Sequence, residues 1–146
     1  MSQFDQVHAT KKYRLLTRKR DVAGNEYIYL QGVGSTAAGS WVTYDEAGVT
    51  ALLDSDNTNG SPVAVAQAAV DATTEYGWYM IFGSCSAAAG DVADNGRVFA
   101  SATAGTCDDA AIADEQVIGA VWRSVETSAL ATVQLSYPFV GVDEAA

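Results

Sequence analysis

The chain is short of the residues from which most active sites and metal centres are built. It has one histidine, His8, which excludes a metal site made of several imidazoles. A Ser-His-Asp or Cys-His mechanism would have to recruit that base from a polar N-terminal segment, so histidine-based catalysis is not expected. There are two cysteines, Cys85 and Cys107, in Ser/Ala/Gly-rich surroundings. Their spacing fits no zinc or redox motif, and we expect two small, half-buried thiols, a disulfide requiring that the neighbouring loops meet. No apolar run approaches the roughly 20 residues of a membrane-spanning helix; the richest, residues 76–82, is a strand long, and a membrane protein is not expected. The basic stretch near the start runs into Asp21-Val-Ala-Gly-Asn25 rather than an unbroken hydrophobic segment, so a cleavable signal is not expected either.

Positive charge is scarce everywhere but in one place. Lys11, Lys12, Arg14, Arg18, Lys19 and Arg20 are six of the eight basic residues. Residues 1–20 hold those six against one acid, Asp5, and residues 21–146 hold two against seventeen, which makes a +5 segment on a −15 body. Segregation of this kind points to a segment that grips something acidic and a body that repels other anions. Six cations suffice for a salt-dependent phosphate contact, and Tyr13 can stack on a base. The acidic body repels a polyanion, however, and no common nucleic-acid module is present, so nucleic acid is not the expected partner.

The 146 residues are a one-domain length, able to bury roughly 70% of the surface of the unfolded chain. With 49% apolar and 18% charged residues, a compact globule is expected. Its pattern has a period of two. Ala131-Thr-Val-Gln-Leu-Ser-Tyr137 alternates, placing Val133, Leu135 and Tyr137 on one face and Thr132, Gln134 and Ser136 on the other. Further strands are expected over residues 26–33, 40–44, 62–67, 76–83, 96–101 and 117–123. Turns are expected at Ala23-Gly24-Asn25, Asp45-Glu46-Ala47-Gly48 and Asp94-Asn95-Gly96, and the small-residue runs 34–39 and 87–90 look like tight connections. Residues 64–76 are alanine-rich but fit a strand followed by a loop better than a helix. The expected fold is all-β, a compact antiparallel sandwich or barrel over residues 23–146 with an extended basic N-terminal arm, residues 1–22.

Within Tyr76-Gly-Trp-Tyr-Met-Ile-Phe-Gly83 the alternation fails, because Trp78, Met80 and Phe82 point one way, Tyr79 and Ile81 the other, and both sets are apolar. Such a strand needs cover on its second side, from another sheet or from another subunit. In the basic stretch, extended geometry puts Lys12, Arg14, Arg18 and Arg20 on one face with Leu16, and Tyr13, Leu15 and Thr17 opposite with Lys11 and Lys19. That stretch can be an arm pairing with a partner's sheet edge or a charged edge strand of its own domain.

Other chemistry is weakly supported. Gly32-Val-Gly-Ser-Thr-Ala37 resembles a phosphate loop only loosely and lacks a following helix. A calcium loop from Asp54 would put Asn59 where glycine is needed and Val65 where a bidentate glutamate is needed, which leaves a polar turn, or a weak non-EF site from Asp54 and Asp56. No cofactor or metal is expected. Carboxylate pairs suited to glycoside hydrolysis stay open among eighteen acids. Trp41, Trp78 or Trp122 would otherwise serve as a stacking platform for sugars, although core packing is the simpler use of a tryptophan.

The order of segments adds a resemblance. Arg18-Lys-Arg-Asp-Val-Ala-Gly-Asn-Glu-Tyr-Ile-Tyr-Leu-Gln-Gly-Val33, Trp41-Val-Thr-Tyr-Asp45, Pro62-Val-Ala-Val-Ala66, Tyr76-Gly-Trp-Tyr79 and Val133-Gln-Leu-Ser-Tyr-Pro-Phe-Val140 together resemble the small head decoration, or cement, proteins of tailed bacteriophages, over about residues 18–140. The resemblance implies a β-rich, non-enzymatic virion protein, assembled in the host cytoplasm, that binds the major capsid protein on the outer surface of the shell, often as a trimer. Expected partner-binding residues are Lys11, Lys12, Arg14, Arg18, Lys19, Arg20, Tyr13, Trp78, Met80 and Phe82. A phage tail or connector subunit and a carbohydrate- or host-binding module remain alternatives.

Overall fold

The computed structural model describes residues 3–55 and 60–141. After a 3-10 turn, Gln3–Asp5, come eleven strands: β1 Val7–His8, β2 Arg18–Arg20, β3 Glu26–Gln31, β4 Trp41–Tyr44, β5 Thr50–Leu52, β6 Val63–Ala66, β7 Tyr76–Ala88, β8 Arg97–Ala100, β9 Cys107–Asp108, β10 Gln116–Trp122 and β11 Leu130–Gly141. No α-helix occurs among the described residues, and residues 67–75, after β6, form a loop. Among the described residues, no helix is long and apolar enough to cross a membrane.

The strands form one antiparallel sheet curled into a half-barrel, and β7 is its hub. The main path runs β5-β4-β6-β7-β11-β10-β8-β9, while β3 pairs with β7 and carries β2, and β1 also pairs with β7. Met80 pairs with Tyr27 and with Val65, and Phe82 pairs with Glu26 and with Ser136. A residue pairs once on each edge, so β3 flanks one edge of β7 while β6 and then β11 share the other. The curl brings the β5 end back towards β3, where Gln31 bridges Val49 and Thr50 Oγ1 donates to the Gln31 carbonyl at 2.7 Å.

This curl supplies the second cover that the doubly apolar strand requires. On one face Tyr27, Tyr29, Val63, Val65, Trp78 and Met80 join Trp41, Trp122, Val133 and Leu135. On the other, Ile28, Leu30, Val42, Ala64, Ala66, Tyr79 and Ile81 fill the concave side of the half-barrel. The chain therefore covers both faces of residues 76–81 by itself, each fully buried large side chain contributing roughly 1.5–3 kcal/mol.

Two bulges alter the expected facing. Between Glu26 and Tyr27 the β3–β7 register slips past Ile81, which turns Phe82 away from Trp78 and Met80 to stand beside Glu26 at the surface. In β10–β11, Ile118 opposes Phe139 and Ala120 opposes Leu135, so Gly119 faces the run 136–138. Tyr137 there has φ 50° and Gly119 φ 86°, and a Cβ on Gly119 would lie 2.6 Å from the Ser136 carbonyl oxygen. Tyr137 is consequently exposed instead of sharing the buried face of Val133 and Leu135. The strand also runs to Gly141, and β7 runs through Ala88, so Ala87 and Ala88 are strand rather than connection.

The basic stretch lies on the body. Phe4 is buried and stacks on Tyr27 with ring centroids 4.0 Å apart; Tyr13 packs edge-on against Tyr29 and tilted against Trp78, both at 5.2 Å. Residues 18–20 form an edge strand on β3 whose Arg18 and Arg20 face outward while Lys19, between them, is half-buried.

Candidate functional site

The hairpin joining β2 to β3 is held by Asp21. Its carboxylate accepts hydrogen bonds from the backbone N–H of Ala23 and Asn25, from the Asn25 amide at 3.0 Å and from the Tyr27 hydroxyl at 3.0 Å. These bonds, foremost that from the Asn25 side chain, hold the Asp21 carboxyl below its ordinary range. Burial, then the bond to Asp21, pushes the Tyr27 hydroxyl up to about 12. With the turn fixed, Arg20 stands opposite Glu26 and Glu26 opposite Phe82.

Glu26 is only 6% exposed and gathers three side chains. Arg20 Nη2 lies 3.1 Å from Oε1, Arg18 Nη1 lies 3.8 Å from Oε2, and the Tyr137 hydroxyl donates to Oε1 at 2.7 Å. The Tyr137 ring packs against Phe82 at 5.3 Å. Phe82 (36% exposed), Tyr137 (43%) and, two residues on, Phe139 (44%) are thus exposed aromatic side chains, with two guanidinium groups beside the Phe82–Tyr137 pair. Next to it opens a cleft of about 640 Å³ lined by Leu16, Arg18, Ile28, Tyr44 and Pro62, with Asp45 and Glu46 also among its residues. Pro62 bridges to Phe139, which ties cleft and aromatic surface together. Aromatic and arginine side chains around an apolar recess suit protein recognition.

The residues expected to bind a partner fall into four groups. Arg18, Arg20 and Phe82 belong to this surface. Lys11, Lys12 and Arg14 are exposed and make no ion pair among the described residues. Lys19 places its ammonium 4.3 Å from the centre of the Tyr13 ring and 5.9 Å from that of Trp78, a cation–π contact within the fold. Trp78 and Met80 are 1% and 2% exposed and belong to the chain's own core, so neither presents a surface. Sequence reasoning missed Glu26, Tyr137 and Phe139 as surface partners. The signal was Tyr137-Pro138, because a proline inside a strand cannot donate to the ladder and marks a bulge.

Other candidates separate from this site. His8 is half-buried, and its Nδ1 lies 2.8 Å from the Tyr29 hydroxyl. That hydroxyl also accepts the Lys12 N–H at 3.1 Å, and desolvation followed by Lys12 lowers the imidazole pKa. Cys85 and Cys107 are free; burial pushes the first thiol up to about 12 and the second well above its usual value. Both are thus protonated at neutral pH and poor nucleophiles. Trp41, Trp78 and Trp122 are all buried, which removes them as sugar platforms. Asp56, half of the weak calcium site, lies outside the described residues.

No protein-family model matches the chain, and no curated protein sequence matches it. Among solved structures it is similar to a chain of the capsid of Myoviridae Phage XM1, at 15% identity and a TM-score of 0.48, over 85% of this chain and 92% of that one.

Proposed function

We propose that this chain is a non-enzymatic structural protein of a tailed bacteriophage that binds the outside of an icosahedral capsid and stabilises contacts between capsid subunits. The segment order that resembles phage cement proteins supports the reading. The observation that carries its mechanism is the aromatic surface of Phe82, Tyr137 and Phe139 beside Arg18 and Arg20. Apolar burial there supplies most of the affinity, because exposed ion pairs are worth only about 0–1 kcal/mol each. Lys11, Lys12 and Arg14 guide docking onto capsid carboxylates. Three copies around a local threefold axis would make weak contacts act at high effective concentration.

The test is gradient sedimentation of source particles, with the chain followed by mass spectrometry, and then rebinding of the purified protein to stripped capsids. Stoichiometric co-sedimentation, lost in a Phe82→Ser/Phe139→Ser variant that remains folded, is the expected result. Recovery only as a small soluble species sinks the capsid reading, and co-sedimentation confined to tails moves the assignment to a tail or connector subunit.

A further inference from the structure

We propose that the groove across β8, β10 and β11 that carries Arg97 and Arg123 is a docking site for an extended acidic segment of a partner protein, with carboxylates at alternating positions. Beyond residue 20 the chain has two basic residues among seventeen acidic ones. The fold brings both of them to one groove of about 350 Å³, whose lining includes Asn95, Gln116, Gln134 and Ser136 and, among the described residues, no carboxylate.

The register fixes how the two arginines stand. Arg97 pairs with Val121 and Val121 with Gln134, so these three side chains form one row on one face of the sheet. Arg123, two residues beyond Val121, points the same way. Arg97 and Arg123 are therefore diagonal neighbours, with backbone positions about 7–8 Å apart. Alternate side chains of an extended strand repeat every roughly 6.6 Å, which matches that spacing. Between these pairs the β8–β10 ladder is interrupted: Gln116 opposes Phe99 and Val121 opposes Arg97, so residues 117–120 stand against Val98 alone, and Ile118 gives the recess an apolar floor.

The charge of Arg123 is held in place without being neutralised. Arg123 Nε donates to Gln134 Oε1 at 2.9 Å and Nη1 donates to Asn95 Oδ1 at 2.5 Å. Both acceptors are neutral amides, which orient the guanidinium and leave its other donors and its full charge available. Arg97 makes no ion pair among the described residues. A groove with no carboxylate among its described lining residues, one guanidinium held by neutral amides and a second diagonal to it selects carboxylates, whereas the field of the acidic body repels a long polyanion such as nucleic acid.

The proposal stands apart from the capsid reading, since peptide binding can succeed where capsid sedimentation fails. The test titrates the whole protein with a blocked nonapeptide of threonine and valine carrying aspartate at its fourth and sixth positions, followed by amide NMR. Shifts should centre on residues 95–97, 116–123 and 134–136. Arg97→Gln and Arg123→Gln should each weaken binding at least tenfold, and so should replacing the peptide's aspartates by asparagine, a comparison that needs no protein variant. No binding, equal binding of the asparagine peptide, shifts centred on residues 11–20, or equally strong binding of single-stranded DNA would each overturn it.

Discussion

Arg20 and Arg123 are both exposed at the surface of the sheet and both hydrogen-bonded through Nε, yet one faces the carboxylate of Glu26 and the other the amides of Gln134 and Asn95. In the N-terminal stretch the fold uses much of its positive charge internally, with Arg18 and Arg20 on Glu26 and Lys19 over Tyr13. In the β8–β10 groove it fixes the Arg123 side chain and leaves the charge free. The count of cations in a sequence is thus a poor measure of charge available to a partner. What matters is whether the fixing groups are ionised.

The largest effect is expected where the N-terminal stretch packs into the core. Phe4→Ala removes a buried ring stacked on Tyr27, and the expected loss is about 3 kcal/mol in denaturant unfolding. A loss below about 0.5 kcal/mol would mean that the stretch is an appendage. Glu26→Gln leaves two guanidiniums without their carboxylate and should cost about 1–2 kcal/mol while steepening the salt dependence of any association through this face. Arg97→Gln and Arg123→Gln should each change stability by less than about 0.5 kcal/mol in the same measurement, because these positions are exposed and carry function rather than fold.

The smallest effect is confined to acid. The folded Asp21 carboxyl lies below its ordinary value of 3.8, so the unfolded chain binds its proton more readily. Its contribution is present above that value and disappears as pH falls through the lower folded one. Asp21→Asn should flatten the stability profile below about pH 4, measured as unfolding midpoint against pH, and leave its slope near neutrality unchanged.

Much of the sheet was legible because apolar alternation tracks the pleat. Seven strands lie where the pattern puts them, from Glu26–Gln31 to Leu130–Gly141, and Val133 and Leu135 face inward as expected. Tyr137 departs because register is set between strands: Gly119 sits on β10, and its effect on the chain opposite is invisible in a single run of residues. Phe82 departs for the same reason, through the slip beside Glu26. Thr50–Leu52, Val7–His8 and Cys107–Asp108 are two or three residues long, too short to show a period. The aromatic surface was hidden because both of its bulges had to be known first. The Arg97–Arg123 groove was hidden because twenty-five positions separate two residues that a ladder makes neighbours.

The hub position of β7 has a consequence for how the molecule reaches its native state. Four strands, β1, β3, β6 and β11, depend on residues 76–88 for pairing, and β11 lies more than forty residues further along the chain. Until residues 76–88 emerge from a ribosome, β1, β3 and β6 lack the central partner of the sheet. Closure then waits for β11, so most native contacts form late and between distant segments. Folding of this chain should therefore be slow for its size and largely post-translational, and the nascent apolar strands in waiting are its period of greatest exposure to aggregation.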